Sequence, residues 1–279
     1  MSQSGSILAT TKVTEAYWRV TISNPPINLY DPQMFADLRL FINAVEQDPS
    51  LKVVVFDSAN PDFFIAHYDV VRGQEIPDRP GSAPFTEWPD FVTRLARSRV
   101  VSVASIRGRT RGHGSELALA CDMRFASIEK AVFGQIEVGL GVLPGGGAID
   151  WLSRLAGRSR TLEIVLGADD FDAVTAERYG WINRAMPDSE LDGFVDRFAK
   201  RVSSFDKQAL QQAKHLINMR SNVVTESDLR DSNLAFIEST QWSGIQQKVA
   251  RALQLGLQQP GDYELNLGAH LTDLSEHTK

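Results

Sequence analysis

The chain has 279 residues, of which 43% are hydrophobic, and it carries a formal net charge of −6 at pH 7. This length can bury one large core, or one core with a smaller appendage. The acidic balance argues against nucleic-acid or anionic-membrane partners, because affinity for phosphates needs a clustered positive field. A single cysteine excludes an intramolecular disulfide framework.

The start of the chain lacks a basic region followed by an apolar stretch, and no uncharged apolar run is long enough to cross a bilayer. We therefore expect a cytoplasmic protein with no membrane partner. Cys121 lies in an apolar Ala-Leu-Ala-Cys run, which favours a buried small hydrophobe over a nucleophile.

The first hundred residues alternate strand-like and helical patterns. Residues 16–23 have the β-branched and aromatic content of a strand, and Asp31 precedes a proline as an N-cap precedes the first helical position. Apolar residues then recur at helical spacing until residue 48. Short apolar runs at 51–57 and 100–106 predict covered strands, so the alternation indicates an α/β fold.

The remaining segments predict an exposed connection and a helical C-terminal region. Residues 72–90 are rich in proline, glycine and charge, which predicts an exposed connection, either a lid or an idle surface loop. Helical patterns dominate beyond residue 187, and we divide the chain into an α/β core (1–200) and a helical C-terminal region (201–279). Apolar positions in 233–255 follow roughly one stripe, which favours packing against the core or another subunit.

Several well-known catalytic motifs are incomplete in this sequence. The P-loop pattern, the Gly-x-Gly-x-x-Gly fingerprint and the His-Glu-x-x-His zinc motif do not occur. Nucleotide hydrolysis, dinucleotide binding and zincin chemistry therefore lose support. The flanks of Ser115 do not form a nucleophile elbow, so a serine hydrolase is a weak alternative.

Two acidic residues stand in glycine-rich settings, Glu116 in Gly-His-Gly-Ser-Glu and Glu137 in Phe-Gly-Gln-Ile-Glu. Paired carboxylates beside loops with exposed backbone N–H groups can move protons next to a developing negative charge. From composition alone, simpler interpretations are a helix-dipole role for Glu116 and a solvated strand end for Glu137.

Taken in order, these segments and their neighbours resemble the enoyl-CoA hydratase/isomerase (crotonase) family. The similar motifs lie at 112–122, 133–137, 141–147, 154–157 and 172–184. The resemblance implies a crotonase-like α/β fold of repeated β-β-α units with a helical C-terminal region. It also implies an acyl-CoA thioester as substrate and a homotrimer or dimer of trimers. No metal or separate cofactor is implied, since coenzyme A is part of the substrate.

The resemblance further implies roles for individual residues. The backbone N–H groups of Tyr68 and His113 would form an oxyanion hole for the thioester oxygen, and a helix N-terminus at His113 suits an anion. Glu116 would help activate the attacking water, and Glu137 would deliver a proton to the α-carbon. Two carboxyls near one water should titrate as a coupled pair. The implied substrate-binding residues are Ala66, His67, Gly112, Leu143 and Gly145.

Some positions depart from the family pattern. His67 and His113 stand where the family usually has glycine, which adds bulk and restricts φ. We expect both to be polar loop residues that contribute only their backbone, and we expect Asp69 to act as a helix cap. The arginines at 107, 109 and 111 form a basic run, explained either by solvated charge or by contact with coenzyme A phosphates.

The sequence thus predicts an enoyl-CoA hydratase-like lyase that adds water to an acyl-CoA thioester or removes it. An enoyl-CoA isomerase would need only one carboxylate. A CoA-thioester hydrolase, decarboxylase or carbon–carbon lyase would use the histidines. A catalytically silent scaffold is the alternative outside enzymes.

Overall fold

The computed structural model describes residues 6–76, 87–221 and 223–274 of the chain. Its strands, in chain order, are β1 (Leu8–Thr14), β2 (Tyr17–Ile22), β3 (Val53–Ser58), β4 (Phe63–Ile65), β5 (Val101–Ile106), β6 (Arg109–Arg111), β7 (Met123–Ser127), β8 (Val132–Gly134), β9 (Phe171–Asp172) and β10 (Arg184–Met186). Its helices are α1 (Pro32–Gln47), α2 (Glu87–Arg97), α3 (His113–Ala120), α4 (Glu137–Leu140), α5 (Ala148–Leu155), α6 (Arg158–Gly167), α7 (Ala173–Tyr179), α8 (Asp188–Ser203), α9 (Lys207–Arg220), α10 (Glu226–Ser239), α11 (Ile245–Leu255), α12 (Asp262–Leu265) and α13 (Leu267–His270).

The strands form two mixed sheets. The larger has the order β1, β2, β3, β5, β7 and β10, with β1 antiparallel to β2 and the other pairs parallel. The smaller has the order β4, β6, β8 and β9, with only β9 antiparallel to its neighbour. The strands predicted at 16–23, 51–57 and 100–106 are confirmed as β2, β3 and β5. Strand β1 was not predicted.

Both faces of the large sheet are covered, which explains the continuous apolar run of β3. Val54 and Phe56 belong to one core cluster, which also contains apolar residues of α1, α2 and α3. Val53 and Val55 belong to a second cluster with Leu191 of α8. Successive side chains on a strand point to opposite faces, so a doubly covered strand must be apolar at every position.

Helix α1 begins as the sequence predicts. The Asp31 side chain accepts a hydrogen bond from the Met34 amide at 2.8 Å, and Pro32 occupies the first helical position. This cap satisfies one of the amides that an α-helix leaves unpaired at its start. The buried face of α1 carries the apolar residues at helical spacing.

Two expectations about longer segments are corrected by the structure. The segment 72–90 is not a continuous exposed connection, because α2 begins at Glu87 and both Trp88 and Asp90 are buried. Residues 77–86, which include most of the segment predicted as a possible lid, lie outside the described residues. The stripe in 233–255 is divided between two helices, because α10 ends at Ser239 and α11 begins at Ile245.

The C-terminal region is helical, as expected, and packs back onto the α/β part. Residues of α11, α12 and α13 share an apolar cluster with Ile136 and Leu140 near α4. The expected boundary at residue 200 falls inside α8 and stays a prediction. Cys121 is a buried thiol, as predicted, and burial raises its pKa to about 12.

Candidate active site

Helix α3 places Glu116 in the protein interior. It follows Gly112, whose φ of +47° is a backbone conformation that favours glycine. Glu116 is fully buried, and its Oε1 accepts hydrogen bonds from the amides of Gly146, at 2.7 Å, and Ala148, at 3.4 Å. Burial raises the pKa of Glu116 to about 7, although these amides oppose the shift.

The second carboxyl oxygen of Glu116, Oε2, faces the side chains of His113 and Trp88. His113 Nδ1 lies 3.5 Å from Glu116 Oε2. The Trp88 indole nitrogen and Glu116 Oε2 both lie against Gly146, and neither atom has a hydrogen-bond partner among the described residues. Backbone amides therefore hold one oxygen of Glu116, while the other oxygen can still accept a hydrogen bond.

Glu137 is the first residue of α4 and approaches the same loop from the other side. A Cβ atom at Gly112 would lie only 3.2 Å from Glu137 Oε1. Gln135, with its NH₂ group turned towards Glu137, donates to both carboxyl oxygens at 3.2 and 3.1 Å and accepts from Ser115 Oγ at 2.8 Å. Burial raises the pKa of Glu137 to about 8, and the negative charge of Glu116 adds to the shift. The two carboxyls thus interact electrostatically, as expected of a pair sharing one site.

The amides of Tyr68 and His113 are both available for a ligand. A parallel bridge joins the loop at Tyr68 to Tyr30, through bonds from Tyr30 N to His67 O at 2.8 Å and from Asp69 N to Tyr30 O at 3.0 Å. These bonds use the groups on either side of the Tyr68 amide. In the described part of the chain, neither the Tyr68 nor the His113 amide donates to another residue.

A cavity of about 520 Å³ adjoins Tyr68, His113 and Glu137. Its polar end is lined by Tyr68, His113 and Glu137, and its apolar part by residues of α10 and α11 such as Phe236 and Leu253. Among the expected substrate-binding residues, those lining it are His67, Gly112 and Gly145. Ala66 and Leu143 do not line it. The Ala66 amide bonds to Asn28 O at 3.2 Å, and the Leu143 amide to Ser239 Oγ at 3.1 Å.

A larger groove of about 960 Å³ runs between the end of α1, α2 and α9. It contains neither of the paired glutamates, and two of its arginines form ion pairs. Arg94 pairs with Glu46 at 2.6 Å, and Arg97 with Glu226 at 3.1 Å. The cavity at Glu137 is therefore the better candidate for chemistry.

His67 and His113 do not behave as the expected polar loop residues. His67 is buried, with Nδ1 2.8 Å from Tyr68 O and Nε2 2.8 Å from Glu264 Oε1. The His113 ring lies among three aromatic rings, with centroid distances of 4.7 Å to Tyr30, 5.1 Å to Tyr68 and 4.6 Å to Trp88. Burial, helped by the charge of His67, lowers the pKa of His113 to about 3, so this ring is neutral.

Asp69 caps a turn and not the expected helix, because the short 3-10 helix that follows begins at Gly73 with Arg72 at its N-cap. Its Oδ1 accepts from the amides of Val71 and Arg72, both at 2.9 Å, and from Gln258 Nε2 at 2.8 Å. The contacts from Gln258 and Glu264 were missed in the sequence. No local pattern marks either residue, because both reach the site from a distant part of the chain.

The interpretation of the basic run as solvated charge is wrong for Arg111. Its side chain is fully buried, bonds to both carboxyl oxygens of Asp170 at 2.7 and 2.6 Å, and donates to Glu264 O at 2.7 Å. Arg107 pairs with Asp188 at 2.6 Å, and Arg109 donates to Leu265 O at 3.0 Å. A guanidinium as buried as that of Arg111 is also inaccessible to a coenzyme A phosphate.

The described residues, 6–76, 87–221 and 223–274, contain neither a candidate metal site nor a candidate membrane-spanning helix. No group of three or more His, Cys, Asp or Glu side chains there is placed to hold a metal ion. None of the helices in those ranges combines the length and apolar character that a membrane span requires.

Known proteins resemble this chain along most of its length. A sequence model described as "Enoyl-CoA hydratase/isomerase" matches residues 13–252. A Streptomyces avermitilis protein of known crystal structure, provisionally named an enoyl-CoA hydratase, is 39% identical with a TM-score of 0.91, and the alignment covers 100% of this chain and 99% of that one.

Two curated relatives are more distant. The short-chain-enoyl-CoA hydratase of Clostridium acetobutylicum is 28% identical over 82% of this chain and 94% of its own length. A probable mitochondrial enoyl-CoA hydratase of Dictyostelium discoideum is 27% identical over 79% of each chain. Since one relative is named as mitochondrial, the cytoplasmic location stays a prediction.

Proposed function

Because this chain belongs to the enoyl-CoA hydratase/isomerase family, we propose that it adds water to a 2-enoyl-CoA thioester or catalyses the reverse dehydration. The crotonase-like fold is shown by the similarity to the Streptomyces structure. The observation that carries the proposal is the pair of buried carboxyls, Glu116 on α3 and Glu137 on α4: the charge of Glu116 helps to raise the pKa of Glu137, and Glu137 lines the cavity.

The surroundings of the two carboxyls suit a division of labour between them. Two backbone amides donate to Glu116 and favour its charged form, whereas burial and the charge of Glu116 raise the pKa of Glu137, so we place the last proton of the pair on Glu137. Ionised Glu116 would accept a proton from the attacking water, and protonated Glu137 would donate one to the α-carbon. General acid–base catalysis of this kind contributes about 10²–10⁴ in rate.

The thioester oxygen needs stabilisation as it takes on enolate charge. The free amides of Tyr68 and His113 would donate to it, and the amide of His113 opens a buried helix whose dipole favours negative charge. Each such donor is worth about 3 kcal/mol of barrier. The apolar walls from α10 and α11 would exclude bulk water, which strengthens these bonds.

Double-bond isomerisation is the second candidate, and one observation favours it. Glu137 lines the cavity, whereas Glu116 lies behind Gly146 with Oε1 already bonded to amides. An isomerase needs a single carboxylate to move a proton between two carbons. Replacing each residue by glutamine separates the two functions: Glu137→Gln abolishes both, whereas Glu116→Gln abolishes hydration and spares much of the isomerisation.

Product analysis tests the proposal directly. The protein is incubated with a panel of enoyl- and hydroxyacyl-CoAs, and the products are identified by mass. Gain or loss of one water supports hydration, while unchanged mass with a moved double bond supports isomerisation. Free coenzyme A or a shortened acyl group would instead identify a thioester hydrolase, decarboxylase or carbon–carbon lyase. No product and no calorimetric binding of acyl-CoA would identify a silent scaffold.

We also propose that the chain assembles as a homotrimer or dimer of trimers, as members of its family imply. Light scattering on the purified protein measures its mass in solution directly. A monomer at assay concentration would contradict this part of the proposal without affecting the chemistry above.

A further inference from the structure

The loop of residues 67–70 carries the Tyr68 amide and is joined to the C-terminal region by three polar contacts. His67 Nε2 lies 2.8 Å from Glu264 Oε1, the Val70 amide donates to Gln258 Oε1 at 2.9 Å, and Gln258 Nε2 donates to Asp69 Oδ1 at 2.8 Å. The two C-terminal residues also contact each other, since the Gln258 amide donates to Glu264 Oε1 at 2.6 Å.

The backbone at Gln258 supports a specific role for these contacts. Gln258 has a φ of +66°, which residues other than glycine rarely adopt. Such a conformation is unfavourable for glutamine and persists only where the surroundings hold it. Here it directs one side chain to two successive residues of the loop, Asp69 and Val70.

The hydrogen bonds of His67 define its protonation. Nδ1 lies 2.8 Å from the carbonyl oxygen of Tyr68, a group that can only accept. Nε2 faces Glu264 Oε1, which also accepts from the Gln258 amide. A neutral imidazole has one N–H group and would leave one of these contacts without a proton. Burial opposes the charge of Glu264, but the contact with His67 and the Gln258 amide lower its pKa, and beside an ionised Glu264 both contacts are satisfied only by the imidazolium, which donates from both nitrogens.

Titratable groups from several parts of the fold face His67. Glu264 of α12 attracts the imidazolium, while Arg111 of β6 opposes it and is itself paired with Asp170. Burial lowers the pKa of His67, but Glu264 and the Tyr68 carbonyl outweigh it and raise the pKa above the usual value. Across Gly112, Glu137 adds a titrating carboxyl, and the neighbouring His113 is neutral. Asp69 lies on the same loop as His67.

His67 is also one of the residues that line the cavity, next to Tyr68. A positive charge at this wall is screened far less than in water, because the surroundings are buried. It would favour the enolate, whose oxygen is negative, over the neutral thioester, and only such differential stabilisation accelerates a reaction.

We propose that His67 is a positioning residue that remains protonated throughout catalysis: Glu264 holds its imidazolium against the Tyr68 carbonyl, which fixes the oxyanion loop and places a positive charge beside the enolate. This inference rests on the proposed hydration and adds to it a group found at a position where a glycine is usual in the family. His67 itself transfers no proton in this scheme.

The charge state is measured without any activity. The chain has five histidines, so protein labelled with ¹⁵N at histidine gives few ring signals, and the set lost in His67→Gln belongs to His67. We expect both ring nitrogens of His67 to be protonated from pH 6 to pH 8, and still so with acyl-CoA bound. A neutral ring at pH 7 would overturn the proposal even if the enzyme hydrates enoyl-CoA.

The kinetic consequence is tested with Glu264→Gln, which keeps an acceptor oxygen but removes the negative charge. His67 then loses its proton at a lower pH, so kcat/KM is near wild type in acid and declines at lower pH than in the wild type. His67→Gln lowers kcat and kcat/KM by the same factor, on the order of 10- to 100-fold. Its kcat/KM does not show the decline at lower pH that is expected of Glu264→Gln. The exposed His215 on α9 offers a matched control, His215→Gln, with wild-type kinetics.

Two kinetic results would refute the proposal. One is that the kcat/KM of Glu264→Gln declines at the same pH as that of the wild type. The other is that His67→Gln folds and has the same activity as His215→Gln. Should His67→Gln not fold, the Glu264→Gln profile and the ring signals assigned by their response in that variant still decide the matter. Should no enoyl-CoA be hydrated by the wild type, the proposed function fails separately, and the charge measurement stands by itself.

Discussion

Gly146 holds the position of Glu116, and replacing it by alanine should damage both stability and activity. The Gly146 amide donates to Glu116 Oε1 at 2.7 Å. A Cβ atom here would lie closer than 3.0 Å to both Glu116 Oε2 and the Trp88 indole nitrogen, nearer than real Cβ atoms approach other atoms. Both neighbours are buried, so neither can move aside into water.

The magnitude follows from overpacking in a closed interior. Inserting a methyl group into such a site typically costs about 1–3 kcal/mol in the free energy of unfolding. A displacement of Glu116 by about 1 Å is enough to lower kcat/KM about 100-fold, because proton transfer depends on the placement of the reacting groups. Losses of stability and activity should therefore appear together.

The assay compares Gly146→Ala with Gly167→Ala, a matched control at the end of α6. A Cβ atom at Gly167 would meet nothing within 4 Å. Thermal denaturation and steady-state hydration of an enoyl-CoA are measured for both variants. We expect Gly167→Ala to match the wild type or to be slightly more stable, because alanine restricts the unfolded chain. If Gly146→Ala matched Gly167→Ala in both assays, the packing argument around Glu116 would be refuted.

Four other outcomes can be measured. The kcat/KM of the wild type should rise as the first proton leaves the coupled pair of Glu116 and Glu137 near pH 7 and decline as the second leaves above about pH 8, which a pH profile checks. The free energy of unfolding should fall as pH rises from about 4.5 to about 8, because the native state retains protons that the unfolded state releases; denaturant titrations should show a weaker dependence in Glu137→Gln. Arg111→Met leaves the Asp170 carboxylate without its buried partner and should cost about 3–5 kcal/mol, seen in denaturant unfolding and not relieved by salt. Asp31→Ala removes the cap of α1 and should cost about 1 kcal/mol, whereas Asp31→Asn should restore most of it in the same assay.

The features predicted correctly from the sequence depend on neighbours along the chain. The cap at Asp31 and the covered strand β3 follow from hydrogen bonding and burial patterns within a few residues. The helix that carries Glu116 begins at His113, as the family resemblance implies. Short-range sterics and the period of the apolar residues are enough to specify such elements.

Only the tertiary structure decided which groups surround the two glutamates. His67 and Glu264 are 197 positions apart, and Arg111 and Asp170 are 59 apart, so no local pattern connects either pair. The basic run therefore resembled solvated charge, although Arg111 is neutralised inside the protein. Burial removes water from these groups, and each then needs a partner that only chain packing can bring within hydrogen-bond distance.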